Sequence, residues 1–435
     1  MIKVEPSKAL MDVPLSIELS GFPPNQPVTV AATQIYQTGS RWRAQATFLA
    51  DDEGHCNIGR QAPISGYYEG VAAMGLIWSA KLVTPPSRAL PEDWAMHPSS
   101  IQFTATATQG NNAEVEVIRD KAAAGVIRRV IRTDGLAGTL FLPPGEGPHP
   151  AVLVLHGGNG AGPGGSGDET QGAILASRGY AAFNIAYFAA PGLPRGLVNI
   201  PLEYFEKAIR WMRAQPWLGD GFLAVWGSSR GGELALLLGA TFPDINAVSA
   251  WVPSGVIFWP LGLPEQGDTR YHASWTLAGR PLPFLQENNT MVEPIPPQGP
   301  REVRAFAPIY LRHLGDARAV ERATIPVENT RGPVLLVSGT DDQMWPSSAL
   351  ADVAMRRLKV KAFQYQHHHL KYEGAGHTIL LPYGPRTTRN IAMRVEGFEG
   401  QLCDQGGAPR LDAEAGADAW HQMLQFFEKA QRERK

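Results

Sequence analysis

A serine, a carboxylate and a histidine follow one another in this sequence in settings that could turn a hydroxyl into a nucleophile. Ser229 lies within Gly227-Ser228-Ser229-Arg230-Gly231, after the apolar run Phe222-Leu223-Ala224-Val225-Trp226 and before Gly232-Glu233-Leu234-Ala235-Leu236-Leu237-Leu238. This reads as strand, tight turn and helix. The serine sits at the strained apex, and glycines stand where side chains would collide, as in a nucleophile elbow. A serine hydroxyl needs a base, and the base needs an acid to orient it. Both come later in the chain, in that order. The strand-like run Pro333–Ser338 leads into Gly339-Thr340-Asp341-Asp342-Gln343, and Gln364–Lys371 leads towards Gly374-Ala375-Gly376-His377-Thr378. Asp342 completes a Gly-x-x-Asp spacing and is preferred as the acid over its neighbour Asp341. His377 is the base.

The oxyanion formed by such an attack needs two backbone N–H donors. One is the amide of Arg230, directly after the nucleophile. The other belongs to the loop after the apolar strand ending at Leu155, which reads His156-Gly157-Gly158-Asn159-Gly160-Ala161-Gly162-Pro163-Gly164-Gly165. Gly158 or Asn159 is the expected donor. Gly160, Gly162 and Gly165 also match G-x-G-x-x-G, but Pro163 interrupts the motif and no helix opens directly after it. A Gly-Lys-Ser/Thr ending is absent as well, so neither a dinucleotide site nor a P-loop is expected. Consecutive residues on a strand face opposite sides, so His367-His368-His369 cannot converge on one metal ion. They read as a polar edge strand.

The elements that must position these groups fall into two parts. Up to about Thr108, short alternating runs such as Leu15–Leu19, Val28–Ala32 and Trp42–Phe48 are punctuated by Gly and Pro, with no clear helix; this predicts a β-sandwich. From Val126 onwards, buried apolar strands (Ala151–Leu155, Ala181–Ala186, Phe222–Trp226, Val334–Ser338) alternate with helical stretches at Thr170–Arg178 and Leu202–Ala214, which predicts a mainly parallel sheet covered on both faces. The stretch from Val256 to Glu328, rich in proline and aromatic residues, is expected to cap the sheet's carboxyl edge. At 435 residues, two domains are the prior. A formal net charge of −2 argues against a nucleic-acid binder. Only Cys56 and Cys403 are present, too few for a disulfide framework. No run reaches the length of a membrane span. With no apolar leader in Met1–Pro6, the cytoplasm is the expected compartment.

In these motifs the chain resembles the family of acyl-CoA thioesterases that includes bile acid-CoA:amino acid N-acyltransferase. The likeness is carried by Ser229-Arg230-Gly231-Gly232-Glu233-Leu234, Gly138-Thr139-Leu140-Phe141-Leu142-Pro143-Pro144 and Leu202-Glu203-Tyr204-Phe205-Glu206. It continues through Asp341-Asp342-Gln343-Met344-Trp345, Gly374–Ile379 and Asp418-Ala419-Trp420, and reaches back to Gln26–Val30 and Met74–Trp78. The resemblance implies a β-sandwich over residues 1–118 and an α/β-hydrolase catalytic domain over 119–435, within which the proline- and aromatic-rich stretch 256–328 is the expected cap insertion. It further implies an acyl thioester of coenzyme A as the small-molecule substrate, no separate cofactor, and the roles of nucleophile, acid and base on Ser229, Asp342 and His377. The amino-acid-transferring branch carries Cys at the elbow, whereas Ser229 favours hydrolysis. A carboxylesterase or peptidase on the same triad, an N-acyltransferase and a non-catalytic binding protein are the competing readings. The segment Val256–Arg304 has no counterpart in the resemblance, and Arg195, Arg230, Arg270 and Arg312 stay open as partners for the CoA phosphates.

Overall fold

Runs such as Ala151–Leu155 and Ala181–Ala186 have no polar alternation and can be stable only where both faces of a sheet are covered. A computed structural model places them there. It describes residues 1–107, 112–161, 169–218, 221–261, 272–285, 302–394 and 400–434. The chain divides into two units. The first comprises Met1–Ala123, Leu380–Thr388 and Pro409–Ala417; the second comprises Ala124–Ile379, Arg389–Ala408 and Asp418–Lys435.

In the first unit, a three-stranded sheet (Ile2–Glu5, Ser16–Leu19, Cys56–Asn57) and a larger sheet built around Pro27–Ile35, Arg41–Leu49, Ser99–Ala107 and Asn112–Asp120 share one core. The alternation in the sequence is the alternation in burial. Ile2, Val4, Ile17 and Leu19 point inwards to meet Val28, Val30, Phe48 and Phe103. The sequence reading found no helix here, yet Gly75–Trp78 forms one turn. Four residues are too few to register a 3.6-residue period.

The second unit is built on an eight-stranded sheet. Its strands are β1 (Ile127–Thr133), β2 (Leu136–Leu142), β3 (Ala151–Leu155), β4 (Ala181–Ala186), β5 (Leu223–Ser228), β6 (Ala247–Trp251), β7 (Val334–Gly339) and β8 (His367–Tyr372), in spatial order β1-β2-β4-β3-β5-β6-β7-β8. Strands β3 to β8 run parallel, and β2 is antiparallel to β4 and to β1. The described helices are α1 (Glu169–Ser177), α2 (Leu202–Arg213), α3 (Arg230–Thr241), α4 (Ala307–His313), α5 (Ala317–Ala323), α6 (Ser347–Val360) and α7 (Pro409–Glu433), the last of which begins in the first unit. Helix α2 shows the amphipathic spacing that made it legible: Leu202, Phe205, Ala208, Ile209 and Met212 are buried. The loops after β3, β5, β7 and β8 all leave the carboxyl edge of this sheet, where an open parallel sheet carries its chemistry. Much of the expected cap, residues 262–271 and 286–301, lies outside the described residues. The described remainder includes Trp275–Leu277, which pairs with Ile200–Pro201, and helices α4 and α5. No helix among the described residues is long and apolar enough to cross a membrane.

One buried ion pair ties β1, β2 and α1 together. The guanidinium of Arg128 makes a bidentate contact with the Glu169 carboxylate (2.8 and 3.1 Å), and Thr139 Oγ1 donates to it at 2.7 Å. Glu169 is fully buried and Arg128 nearly so. Glu169→Ala leaves a buried cation without its partner, and is expected to lower the unfolding free energy by about 3 kcal/mol or more, read from urea denaturation.

Candidate active site

At the end of β5 the backbone turns sharply into α3, and Ser229 stands at the turn with φ 60° and ψ −123°. Positive φ is costly for any residue with a side chain, so the surroundings must hold it. They do so by close backbone approach. A Cβ built on Gly227 falls 2.1 Å from the Gly231 carbonyl oxygen, one on Gly231 falls 2.5 Å from the His156 oxygen, and one on Gly232 falls 2.8 Å from the Trp251 oxygen. The serine amide donates to Trp251 O (2.9 Å), while its carbonyl accepts from the amides of Gly232 and Glu233 (2.8 and 3.0 Å). The Arg230 and Gly231 amides, in the first turn of α3, have no intrahelical acceptor.

Asp342 and His377, the expected acid and base, are joined directly. His377 Nδ1 lies 2.8 Å from Asp342 Oδ2, and the carboxylate is completely buried. Asp342 Oδ1 accepts from the amides of Met344 (3.1 Å) and Trp345 (3.2 Å). A proton held on Nδ1 by the carboxylate leaves Nε2 with its lone pair, the state a general base requires. The neighbouring Asp341 does different work. Its Oδ1 accepts from Gln343 Nε2 (2.8 Å) and its Oδ2 from the Gly407 amide (2.9 Å), pinning the loop whose Gln405 carbonyl receives the His377 amide (2.7 Å). Trp345 links this pair to the elbow. Its ring stands edge-on to His377 at 6.3 Å, and its indole N–H donates to Val252 O (2.9 Å), one residue beyond the Trp251 that holds Ser229. Among the described residues no hydrogen bond joins Ser229 Oγ to His377; bonds of this kind tighten when substrate binds.

The loop after β3 lies against the elbow. Gly157 to Gly160 form a turn closed by the Gly160 amide on Gly157 O (3.2 Å), with Gly158 and Asn159 at its corners. A Cβ on Gly157 would sit 3.5 Å from Ser229 Cβ, and one on Gly158 would sit 3.3 Å from Arg230 Cγ. Gly157, which the sequence reading passed over, is thus the residue packed on the serine. The only signal for it was its place in the glycine run.

Of the arginines left open as phosphate partners, one is engaged inside the protein. The Arg230 side chain, left open as a phosphate partner, is buried. It donates to Glu233 Oε2 (2.8 Å), to the carbonyls of Trp259 (2.8 Å) and Phe258 (3.3 Å), and to Ser274 Oγ. Trp275 Nε1 donates to the other Glu233 oxygen (2.7 Å). Burial holds the Glu233 carboxyl above its usual range against the opposing pull of the adjacent Arg230. This network needs a polar pair at i, i+3 on the elbow helix, and sequence alone could not tell it from a solvated pair. Arg195 and Arg312 are exposed, and Arg270 lies outside the described residues. In the histidine run on the edge strand β8, His369 Nε2 contacts Ser338 Oγ (2.7 Å) and its Nδ1 faces Asp352 of α6 (3.3 Å).

Two family models match the chain: acyl-CoA thioester hydrolase/BAAT N-terminal region over residues 12–133, and BAAT/acyl-CoA thioester hydrolase C terminal over residues 200–433. The mitochondrial acyl-coenzyme A thioesterase 2 of Mus musculus is 29% identical over 98% of this chain and 89% of its own length. A peroxisomal succinyl-coenzyme A thioesterase of Mus musculus is 28% identical, covering 98% and 96%. An acyl-coenzyme A amino acid N-acyltransferase 1 of Mus musculus is also 28% identical, covering 99% and 98%.

Acid should destabilise this unit through two histidines. Burial pushes His156 and His369 down to about 4, with Asp352 acting in the opposite sense on His369. In the unfolded chain a histidine titrates near 6.5, so the unfolded state binds the extra protons. Stability is therefore full above that value and is lost as pH falls from about 6.5 through 4. For His156 the loss is expected to be about 3 kcal/mol. The urea midpoint followed from pH 7 to 4 checks this, and His156→Asn should flatten the decline.

Proposed function

The chain belongs to the acyl-CoA thioester hydrolase/BAAT family, and on that premise we propose that it is a serine-dependent acyl-CoA thioesterase, hydrolysing fatty or other acyl-CoA thioesters to the free acid and CoA. The observation that carries this reading is the buried Asp342–His377 pair at the sheet edge from which Ser229 also projects. His377 Nε2 takes the Ser229 proton as Oγ attacks the thioester carbonyl. The oxyanion is held by the amides of Arg230 and of Gly158 or Asn159. CoA departs as a thiol carrying the proton returned by His377, and a water activated by the same nitrogen then hydrolyses the acyl-enzyme.

The family also contains an acyl transferase to amino acids, and the nucleophile favours hydrolysis here. An acyl group on a cysteine is still a thioester that an amine attacks readily, whereas on Ser229 it is an ordinary ester that awaits an oriented water. Both cysteines of this chain, Cys56 and Cys403, are buried and unpaired, and burial raises both thiols, Cys56 to about 11 and Cys403 to about 12. Neither is a competing nucleophile, and free thiols suit the reducing cytoplasm. In this reading residues 1–118 form a β-sandwich domain and 119–435 the α/β-hydrolase domain. The cap at 256–328 selects the acyl chain. It is anchored to the elbow helix through the Arg230–Glu233 network.

Purified protein offered acyl-CoAs of graded chain length, with and without glycine or taurine, is expected to release thiol and form free acid rather than amide. Ser229→Ala should abolish thiol release. Asp342→Asn should lower kcat by about 10³–10⁴-fold, and Asp341→Asn should spare most of it. Rapid cleavage of oxygen esters with no thiol from any acyl-CoA would overturn the thioesterase assignment, and an amide as the main product would overturn hydrolysis.

A further inference from the structure

His156 follows β3 and opens the loop packed on the elbow. Its ring is buried against Tyr187, with centroids 3.9 Å apart and planes within 7°, and Phe188 lies tilted at 5.1 Å. The Tyr187 hydroxyl donates to the His156 carbonyl, so ring and backbone are held together. Nδ1 lies 3.0 Å from the Gly157 carbonyl oxygen. A carbonyl only accepts, so Nδ1 carries the proton. Nε2 is buried with no hydrogen-bond partner among the described residues, the arrangement of a neutral imidazole. The low value to which burial pushes this histidine agrees. A cation here would lie unpaired inside the protein, and a phenyl ring would stack but could not donate.

The consequence lies within one peptide unit. In a planar trans peptide the C=O and the following N–H point in opposite directions. A donor that holds the Gly157 carbonyl therefore sets the direction of the Gly158 N–H. Two successive glycines have little conformational preference of their own, and the turn bond from Gly160 reaches the same carbonyl from within the loop. The imidazole anchors it instead to the rigid end of β3. We propose that His156 is a positioning residue for the oxyanion site: its Nδ1–H locks the Gly157–Gly158 peptide so that the Gly158 amide is aimed beforehand at the oxygen that gains charge when Ser229 attacks. This rests on the oxyanion role given above to the loop after β3, and it selects Gly158 over Asn159.

The test compares His156→Phe, which keeps the stacked ring without the donor, with His156→Asn, whose amide nitrogen takes the place of Nδ1, and His156→Gln, whose amide reaches past it. Three readouts are followed: turnover of an acyl-CoA and of a p-nitrophenyl ester, affinity for a trifluoromethyl ketone analogue of the thioester, and the rate at which a fluorophosphonate labels Ser229. In His156→Phe, kcat is expected to fall about 10–100-fold on both substrates, with KM within about threefold. Affinity for the ketone and the labelling rate should fall in parallel, because both build charge on the same oxygen. His156→Asn should recover most of the loss and His156→Gln should not. Unchanged kcat in His156→Phe would overturn the proposal. So would a kcat loss with ketone affinity and labelling intact, or a folded His156→Asn as impaired as His156→Gln. If His156→Phe does not fold, the Asn/Gln pair decides. If wild type cleaves only the oxygen ester, the thioesterase reading fails, while the ester and labelling series still judge His156.

Discussion

The site depends on a steric constraint at one turn: backbone meets backbone so closely around Ser229 that only glycine fits at 227, 231 and 232. A serine at φ 60° costs on the order of 1–3 kcal/mol and would relax if it could. It cannot, because its amide is bound to β6, its carbonyl receives two amides of α3, and the flanking glycines bring β5, α3 and the loop after β3 into contact. The strain and the packing are the same fact. That contact also brings the Gly157–Gly160 turn to the serine, so Ser229, the first turn of α3 and the glycine turn are assembled together.

Around the turn, charge is used in three distinct ways. Asp342 is buried, saturated by two backbone amides and directed at His377. Asp341, one residue earlier, fastens the 405–407 loop that supports the His377 backbone. Arg230 and Glu233 form a buried pair whose remaining hydrogen bonds go to Phe258, Trp259, Ser274 and Trp275. Buried pairs of this kind contribute little net stability but make the loss of either partner severe. Here the pair fastens these residues of the expected cap to the helix that begins after Ser229. Those residues are thereby held in register with Arg230, directly after Ser229.

Much of this was legible beforehand. The strands Ala151–Leu155 and Ala181–Ala186 and helix α2 stand within a residue of where apolar runs and amphipathic spacing put them. The elbow was readable because strand, glycines and helix are contiguous. The preference for Asp342 over Asp341 came from a spacing rule; in the structure Asp342 meets His377 while Asp341 binds Gln343 and Gly407. Less was legible where the signal is short or non-local. The turn at Gly75–Trp78 is too brief to carry a period. Leu380–Thr388 and Pro409–Ala417 group with the first unit although they lie far along the chain.

By itself the sequence determined the local geometries: which segments are strands, where the chain turns sharply, and which residue types could act as nucleophile, base and acid. These follow from steric and hydrophobic preferences that span a few residues. Tertiary structure decided the partners. That the Arg230 guanidinium faces the carbonyls of Phe258 and Trp259 instead of a substrate phosphate, and that a buried imidazole holds the Gly157 carbonyl, depends on which segments the sheet order brings together. A side chain's partner depends on how separate segments are packed and in what register, and no short stretch of sequence encodes that.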